Sequence, residues 1–487
     1  MLQIIDGGST GSRLHIFEFV KSEEDNDTID VVRRGSTRVD KPLSAFARTP
    51  LQIENDVLLE PSHVSEHILP LFDFAAAVIP SKYHTTTEVR YEATAGMRLV
   101  EEDEQSIVYN ALYKGLMEST MESSGSKFPF AAMKPSDIET LSGELEGFYG
   151  AVAANYLHGT IDAQMKMKDE NVMPLGALDM GGSSTQLVFL PDLSNKMDGE
   201  TSSESREDLN EEDFFSTSYL SYGVDQIRHR LWKMWVDDAS NMKDEFGNAN
   251  EKKEILNPCA FDGYTMEHEG YIFRGTGDVT ECSKHLNRMI PSFQNTLSYN
   301  EEKTNGMVGD IEHPPIQGNF FAMSLYFFTL DALRVLALPD EAMHLSWPTP
   351  SIQELEDALH GFCGRSWTDD LEDIKHTAHK YTYPHQLQHR CLEAVYIVTL
   401  LRDGYGFSTS SRDITFTYDI DGSEVEWALG MLLSLYSERE RNSDFGNVSE
   451  SLRSNSTNEM GISTKGTTCI QLGMDMHSHL PLEHTIS

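Results

Sequence analysis

Basic residues are scarce in this chain of 487 residues. Its 38 Lys and Arg residues are outnumbered by 78 Asp and Glu residues, which gives a formal net charge of -40 at pH 7. A field of that sign repels nucleic acid and anionic lipid, so neither is expected as a partner. A small anionic ligand would therefore need local help, from clustered backbone N–H groups or from a divalent cation.

Long apolar runs are also missing from the sequence. The best candidate for a membrane span, Phe320 to Leu338, contains Asp331 and Arg334 and is therefore predicted to be a buried helix. No signal peptide is recognisable, and the first strand is predicted to begin at residue 2. From this abrupt start we expect that a segment before Met1 is missing and carries any leader or membrane anchor. The sequence does not fix an oligomeric state.

Cysteine is rare, and the five positions are Cys259, Cys282, Cys363, Cys391 and Cys469. None belongs to a C-x-x-C pair, so a zinc site is not expected. The spacing allows two local disulfides, Cys259–Cys282 and Cys363–Cys391, and leaves Cys469 over. Five free thiols in a reducing compartment are the alternative. Glycosylation sequons favour an oxidising compartment, and they lie at Asn26, Asn447 and Asn455.

Extended and helical patterns alternate over the first ~140 residues, which is typical of an α/β domain. Apolar residues at helical spacing predict helices over 64–75, with Ser62 as the N-cap, and over 107–116 and 144–157. Val89 to Thr94 is predicted to be a strand. Near the end of the chain, Val425 to Tyr436 is strongly apolar and is predicted to be a helix that packs on another element.

Polar stretches interrupt this pattern. Residues 194–213 and 237–253 are rich in Ser, Asn and acidic residues and are predicted to be surface insertions. From residue 437 onward the chain is Ser- and Asn-rich with few apolar residues, so residues 441–487 are predicted to be a disordered tail.

The stretch IIDGGSTGSRLHIFEF, from Ile4 to Phe19, reads as strand, tight turn and strand. After Asp6, its turn contains glycines and residues with hydroxyl side chains. Most such loops are only turns. Glycine also lets backbone N–H groups converge on an anion, because no Cβ blocks the approach.

A second copy of this pattern, GALDMGGSSTQLVFL, runs from Gly176 to Leu190. Two acid–glycine–hydroxyl loops in one chain predict a duplicated α/β fold whose halves face each other across one phosphate-containing ligand. Asp6 and Asp179 would then hold a divalent cation through its waters, and the expected ion is Ca²⁺ or Mg²⁺. The alternative is that each Asp only caps its own turn.

Between the loops, LSGELEGFYGAVAANYLHG places Glu144 and Glu146 in the first turns of a predicted helix. Acids there usually complement the helix dipole, which is worth ~0.3–1 kcal/mol. A glutamate between two phosphate loops could instead take a proton from an attacking water. The residues alone do not choose between the two acids.

Five short motifs resemble, in order, those of the apyrase family, the nucleoside tri- and diphosphate diphosphohydrolases that include ecto-apyrases and Golgi guanosine and uridine diphosphatases. The motifs are DGGSTGSR (Asp6 to Arg13), EATAGMRL (Glu92 to Leu99), SGELEGFYG (Ser142 to Gly150), LDMGGSSTQ (Leu178 to Gln186) and HGFCGRSW (His360 to Trp367). Segments such as NPCAFDGY and EVEWALGMLLSL extend the likeness over roughly residues 3 to 436.

The resemblance implies an α/β fold of two actin-like (ribonuclease H-like) domains with the active site in the cleft between them. The implied domain I comprises residues 1–140 and the returning helix at 425–440. Domain II would comprise residues 141–424. The cysteine pairs match disulfides of the family, which implies a secretory-pathway lumen or an extracellular location.

The resemblance also implies roles for individual residues. Glu146 is the implied catalytic base, Ser184 positions the water with Gln186 beside it, and Thr94 lies near that water. Asp6 and Asp179 map onto the acids around the metal's water shell. The implied phosphate and nucleotide contacts are Gly8, Ser9, Thr10, Gly11, Ser12, Arg13, Gly181, Gly182, Ser183 and Ser184.

The implied activity is metal-dependent hydrolysis of the terminal phosphate of nucleoside tri- or diphosphates. Tyr326 or Phe328 would stack on the base, although both also fit a helix core. Four departures from common family patterns leave the choice between di- and triphosphate open: Gly11, Leu145, Ala151 and Ser183.

Three other functions use similar loops: an exopolyphosphatase-type hydrolase, a sugar kinase and a non-catalytic nucleotide-binding scaffold. No sugar-pocket signature is seen. The GYGF and EVEWALG segments and the paired cysteines favour an apyrase over an exopolyphosphatase.

Overall fold

The computed structural model describes residues 1–21, 29–119, 128–130, 132–191, 208–241, 254–290, 306–337, 345–371 and 380–441. Residues 1–437 form one compact unit, and the described residues 438–441 are the last turn of a helix. The three sequons, Cys469, the predicted tail beyond residue 441 and most of both predicted insertions lie outside the described residues.

The first sheet is built by the N-terminal part of the chain. Its strands are β1 (Leu2–Gly8), β2 (Gly11–Lys21), β3 (Ile29–Val39), β4 (Glu88–Ala93) and β5 (Ile138–Thr140), in the order β3-β2-β1-β4-β5. The pairs β1–β2 and β2–β3 are antiparallel, whereas β1–β4 and β4–β5 are parallel.

The second sheet repeats this arrangement. Its strands are β6 (Gly176–Met180), β7 (Ser184–Phe189), β8 (Phe215–Leu220), β14 (Phe320–Ala322) and β15 (Ile414–Phe416), in the order β15-β14-β6-β7-β8. Here β6–β7 and β7–β8 are antiparallel and β6–β14 and β14–β15 are parallel. Each sheet is therefore a three-stranded meander extended by two parallel strands, as the prediction of a duplicated α/β fold requires.

Helices accompany both sheets. The first half carries α1 (Pro50–Glu54), α2 (Pro61–Val78), α3 (Ala95–Arg98) and α4 (Glu102–Ser119), and of these α2 and α4 share a core with β1 and β2 of the first sheet. The second half carries α6 (Val224–Asn241), α7 (Val279–Asn287), α8 (Leu325–Leu336), α9 (Ile352–Cys363), α10 (Pro384–Leu387) and α11 (Arg390–Thr399), which continues as a π-helical turn over Leu400–Gly404.

Short strands complete the second half. They are β9 (Glu254–Asn257), β10 (Thr265–His268), β11 (Tyr271–Gly275), β12 (Gly306–Val308), β13 (Ile311–His313), β16 (Asp419–Ile420) and β17 (Ser423–Glu424). Strands β9 to β11 form a three-stranded sheet, and the other four form two hairpins.

Two helices share one core with both large sheets. They are α5 (Gly143–His158) and the final helix α12, over residues 427–441. Leu2 and Ile4 of β1 bury against the same cluster as Ala177 of β6, Phe148 of α5 and Trp427 of α12. The helices cross closely, since a Cβ on Gly430 would lie 1.8 Å from the Tyr149 carbonyl oxygen. The predicted apolar helix at the end of the chain is confirmed, and it packs on both sheets.

Four local predictions were wrong in detail. The N-cap of α2 is Glu60, not Ser62, because Pro61 occupies the first helical position with its fixed φ. The predicted helix over 320–338 begins as strand β14 and becomes helical only at Leu325. Residues 237–241 continue α6, and Leu209, within the predicted insertion 194–213, is buried because it packs on the shared core.

Both predicted cysteine pairs are disulfides. Cys259 joins Cys282 across a Cα–Cα distance of 5.0 Å, and Cys363 joins Cys391 across 5.2 Å. All four cysteines are buried in the core of the second half. Among the described helices, none has the length and apolar character needed to cross a membrane.

Candidate active site

The tips of the two predicted hairpins meet. Strands β1 and β2 turn at Ser9 and Thr10, and β6 and β7 turn over residues 181–183. A Cβ built on Gly182 would lie 3.0 Å from Ser9 Oγ, and 2.4 Å from Asp225 Oδ2. Only a residue without a side chain fits between these groups. The two loops therefore face one another across a narrow gap, as the sequence predicted.

The EATAGMRL motif lies beside the first loop. Strand β4 runs parallel to β1, and the Thr94 N–H donates to the Gly7 carbonyl at 3.0 Å. A Cβ on Gly96 would lie 3.0 Å from Ser9 Cα, so α3 begins directly against the loop. Thr94 is buried at this junction. The parallel pairing thus brings Thr94 to the same sheet edge as Asp6.

Glu146 reaches the gap because two glycines let α5 approach the second sheet closely. Ser142 caps the helix, its hydroxyl accepting from the Leu145 N–H at 3.1 Å. A Cβ on Gly143 would lie 2.2 Å from Ser218 Cβ, and one on Gly147 would lie 2.7 Å from Val188 Cγ2. The first turn of α5 is therefore pressed onto β7 and β8, and Glu146 is buried against them.

Two side chains donate to the Glu146 carboxylate, and each also contacts a serine hydroxyl. Gln186 Nε2 donates to Glu146 Oε2 at 3.0 Å, and it also lies 2.8 Å from Ser184 Oγ and 3.0 Å from Ser218 Oγ. Arg98 Nη2 donates to Glu146 Oε2, and its Nη1 donates to Ser218 Oγ at 3.1 Å. Three of the four predicted catalytic residues, Glu146, Ser184 and Gln186, thus form one network, which does not include Thr94.

The alternative acid, Glu144, lies elsewhere. Its side chain is exposed, and its backbone carbonyl accepts from Ser216 Oγ at 2.6 Å. Residues two positions apart on an α-helix point in directions about 200° apart around its axis. Glu144 and Glu146 therefore cannot face the same partner. Packing of α5 on β8 selects Glu146 for the gap.

Burial raises the pKa of all three acids at the site. Burial, and then repulsion by Glu146 and Glu426, raises the pKa of Asp6 to about 8. Burial raises the pKa of Glu146 to about 7, since it outweighs the attraction of Arg98, and Asp179 adds repulsion. Burial also raises the pKa of Asp179, against hydrogen bonds from Ser324 and the Met180 N–H. Because the carboxylates of Asp6, Glu146 and Asp179 are buried and repel one another, a bound cation would stabilise their charged forms.

The acids fit a divalent cation. Asp6 Oδ1 is buried without a hydrogen-bond partner among the described residues, and a Cβ on Gly8 would lie 3.8 Å from it. Carboxylate oxygens are the ligands that Mg²⁺ and Ca²⁺ prefer. Within the described ranges, no group of three or more His, Cys, Asp or Glu residues is placed to hold a metal ion directly. The chemistry of the donors suits an ion that keeps much of its water.

The residues of the first loop differ in what they contact. Ser9 faces Gly182, whereas the fully buried Ser12 hydroxyl lies 2.7 Å from the Tyr91 hydroxyl. Gly11 lies against β3, since a Cβ there would lie 2.2 Å from the Val39 carbonyl oxygen. Gly8 pairs with Gly11 at the end of the hairpin.

Other side chains already engage two members of this loop. The exposed Thr10 hydroxyl accepts from Arg38 Nη2 at 2.9 Å. Arg13 Nη1 donates to Glu426 Oε1 at 2.6 Å and to Glu424 Oε1 at 3.2 Å. Arg13 also lowers the pKa of Asp6, so it lies near the acid even though two glutamates hold it.

The second loop is held by the start of α6. The Val224 N–H donates to the Gly181 carbonyl at 3.1 Å, and the Asp225 N–H donates to the Gly182 carbonyl at 2.9 Å. Ser183 is buried, and its carbonyl accepts from the Ser221 N–H at 2.8 Å. The carbonyls of the loop are thereby turned toward α6.

The predicted base-stacking residues differ in accessibility. Tyr326 is fully buried, and its hydroxyl lies 2.9 Å from Thr185 Oγ1. Its ring therefore offers no open face to a base. Phe328 is half-buried, with ring centroids 5.7 Å from Tyr381 and 5.6 Å from Tyr418. Stacking stays a prediction for Phe328, in an aromatic group that the sequence did not single out.

Sequence reasoning missed four residues at the site: Arg98, Ser218, Asp225 and Ser324. Arg98 lies within EATAGMRL, a motif of the noted resemblance, so a signal existed for that residue. Ser218 and Ser324 carry no motif signal of their own, because strand pairing alone brings them to the acids.

Comparison with known proteins shows the family of this chain. The sequence profile of the GDA1/CD39 (nucleoside phosphatase) family matches residues 3–448. Ectonucleoside triphosphate diphosphohydrolase 1 of Bos taurus is 25% identical over 457 residues, spanning 89% of this chain and 80% of that relative. Golgi apyrase of Saccharomyces cerevisiae is 25% identical over 472 residues, spanning 88% and 69%. Guanosine-diphosphatase of Schizosaccharomyces pombe is 25% identical over 461 residues, spanning 90% and 73%.

A solved structure shares the fold. The nucleoside triphosphate hydrolases from Neospora caninum superpose with a TM-score of 0.59 at 14% identity, covering 89% of this chain and 91% of theirs. At that identity the likeness concerns the fold alone. Together with the repeated strand order, it confirms the predicted fold class of two actin-like α/β halves.

Proposed function

This chain belongs to the GDA1/CD39 (nucleoside phosphatase) family, and from that premise we propose how it works. It hydrolyses the terminal phosphate of nucleoside di- and triphosphates with a divalent cation, and Glu146 activates the attacking water. The observation that carries the proposal is the network of Glu146, Gln186 and Ser184 at the gap between two glycine loops.

Glu146 acts as the general base at its Oε atoms. A carboxylate with a pKa near 7 matches a base that must accept a proton at neutral pH and pass it on. Gln186 Nε2 donates to both Glu146 and Ser184, so it fixes the carboxylate and the hydroxyl relative to each other. Because Ser184 Oγ accepts that hydrogen bond, its own O–H can orient the water for in-line attack.

The two loops bind the phosphates. Because the turns at Ser9 and Gly182 lie against each other, backbone N–H groups of both turns can bind one phosphate chain. Asp6 and Asp179 would hold the water shell of a Ca²⁺ or Mg²⁺ ion, which supplies charge neutralisation of the phosphates when bound. Positioning and electrostatics supply most of the acceleration, so no covalent intermediate with the protein is required.

The substrate class follows from the family and the relatives. Relatives of this chain are named as diphosphohydrolases of triphosphates, as an apyrase and as a guanosine-diphosphatase, so both di- and triphosphates are proposed substrates. A Golgi relative, ecto-enzyme relatives and two buried disulfides support a secretory-pathway lumen or an extracellular location.

The test is phosphate release from a panel of nucleoside di- and triphosphates, with inorganic polyphosphate as an extra arm, in Mg²⁺ or Ca²⁺. We expect Glu146→Gln to lower kcat by about 10²- to 10⁴-fold, the usual contribution of a general base. Glu144→Gln is the matched control on the same helix turn, and it should keep activity because Glu144 faces solvent. Equal losses in the two variants, or retained activity in Glu146→Gln, would refute the assignment.

Chelation supplies the second arm. Removal of divalent ions should abolish phosphate release, and adding back Mg²⁺ or Ca²⁺ should restore it. Preferential release from polyphosphate over every nucleotide would favour the exopolyphosphatase alternative. The sugar kinase and the non-catalytic scaffold receive no support, because the family match spans both loops and the Glu146 helix.

A further inference from the structure

Ser324, between β14 and α8, has a backbone conformation that L residues rarely adopt. Its φ is 52° and its ψ is -126°. Only glycine reaches this region without strain, so a serine there destabilises the fold locally. The position of its side chain therefore needs to be examined.

Capping of its own helix does not explain where the Ser324 side chain lies. Ser324 is the N-cap of α8, where a serine hydroxyl normally accepts from an N–H of the first turn. Within the part of the chain that the structure describes, its side chain makes no capping hydrogen bond. Strand register places Ser324 beside Asp179 instead, and a hydrogen bond from its side chain lowers the pKa of that acid.

Strand register explains why these residues meet. Strand β14 runs parallel to β6, with Ala322 paired with Leu178, so both strands reach the same sheet edge at residues 179 and 323. The Met323 N–H donates to the Leu178 carbonyl at 2.9 Å, which holds the chain against β6 one residue before the turn. The unusual φ of Ser324 then turns the chain into α8 while its hydroxyl stays beside Asp179.

We propose that Ser324 is a positioning residue, whose hydroxyl fixes the Asp179 carboxylate in the orientation that holds the water shell of the divalent cation. This inference rests on the proposed function, because it assigns a role through Asp179. Groups that orient metal-binding side chains typically change metal affinity by 10- to 100-fold when removed.

Two substitutions at this position separate strain from positioning. Ser324→Gly removes the hydroxyl and relaxes the backbone, whereas Ser324→Ala removes the hydroxyl and keeps the Cβ. We expect both variants to raise the Mg²⁺ concentration for half-maximal phosphate release about tenfold. Without metal, Ser324→Gly should melt at or above the wild-type temperature. A residue with a merely structural role would not combine weaker metal response with unchanged or higher stability.

A second readout does not depend on turnover. Mg²⁺ added together with the non-hydrolysable analogue AMP-PNP should raise the melting temperature of the wild-type chain. We expect a smaller rise in both Ser324 variants at the same Mg²⁺ concentration. Glu269→Gly is the matched control, since Glu269 has a φ of 47° in an exposed turn between β10 and β11. It should relax the backbone and leave both metal readouts unchanged.

The Asp179→Asn variant distinguishes a failure of the role proposed for Ser324 from a failure of the metal role proposed for Asp179. If Asp179→Asn weakens the metal response and both Ser324 variants respond as wild type, the role of Ser324 is overturned while the proposed function stands. If Asp179→Asn responds as wild type, the proposed metal role of Asp179 fails, and that of Ser324 fails with it. A Ser324→Gly variant that melts well below wild type would overturn the argument from strain.

Discussion

Arg98 donates a hydrogen bond to the same oxygen, Glu146 Oε2, that accepts from Gln186. This cation lies beside the proposed base in a molecule with a large excess of acids. Its charge partly offsets the burial that raises the pKa of Glu146. The basicity of Glu146 is therefore set by two opposing effects, burial and Arg98, and each can be changed separately.

We expect Arg98→Met to move the acid limb of the pH–rate profile to higher pH. Glu146 must lose its proton to act as a base, so kcat/KM rises with pH through the pKa of Glu146, about 7 in the folded protein. Without Arg98 the charged Glu146 carboxylate loses a favourable electrostatic interaction, so the pKa of Glu146 rises further. Measurement of kcat/KM against pH for both proteins tests this. Arg48→Met, which breaks the distant Arg48–Glu104 pair, is the control, and a limb that stays in place would contradict the prediction.

We expect Gly182→Ala to lower kcat/KM by at least about tenfold, equal to a loss of about 1.4 kcal/mol of transition-state stabilisation. The new Cβ would lie 2.4 Å from Asp225 Oδ2 and 3.0 Å from Ser9 Oγ, so the gap between the loops must change. Gly150→Ala is the matched control, because a Cβ there would meet only Met323 Cε, at 3.4 Å. Equal activity in both variants would show that the loops do not share one ligand.

We expect Glu92→Gln to remove a pH dependence of stability. Burial, and then repulsion by Glu139, raises the pKa of Glu92 to about 8. A folded pKa above the unfolded value stabilises the fold at low pH, and that contribution is lost as pH rises toward 8. Relative to the variant, wild-type unfolding free energy should fall between about pH 4.5 and 8, by at most ~1.4 kcal/mol per pH unit.

Chemical denaturation at several pH values measures this difference. Glu139→Gln is the second arm, because removing that charge should lower the pKa of Glu92 and flatten the wild-type dependence. Parallel stability curves for wild type and Glu92→Gln would show that Glu92 does not titrate differently on folding.

Several elements were predicted correctly because residues close together in the sequence specify them. The alternation around each acid–glycine turn predicted the hairpins β1–β2 and β6–β7, and apolar spacing predicted α4 and α5. Errors arose where distant contacts decide the outcome. Phe320 to Ala322 are strand because they pair with β6 and β15, a partnership that a run of apolar residues does not specify.

The sequence by itself determined the repeated acid–glycine loops, the membership of the family and the residue types available for chemistry. Those properties reside in the order of residues and need no three-dimensional partner. Tertiary structure alone decided that Glu146 faces the gap while Glu144 does not, that Arg98 joins it, and that Ser324 reaches Asp179. The physical reason is that helix orientation and strand register arise from packing between distant segments, and each sets which side chains meet.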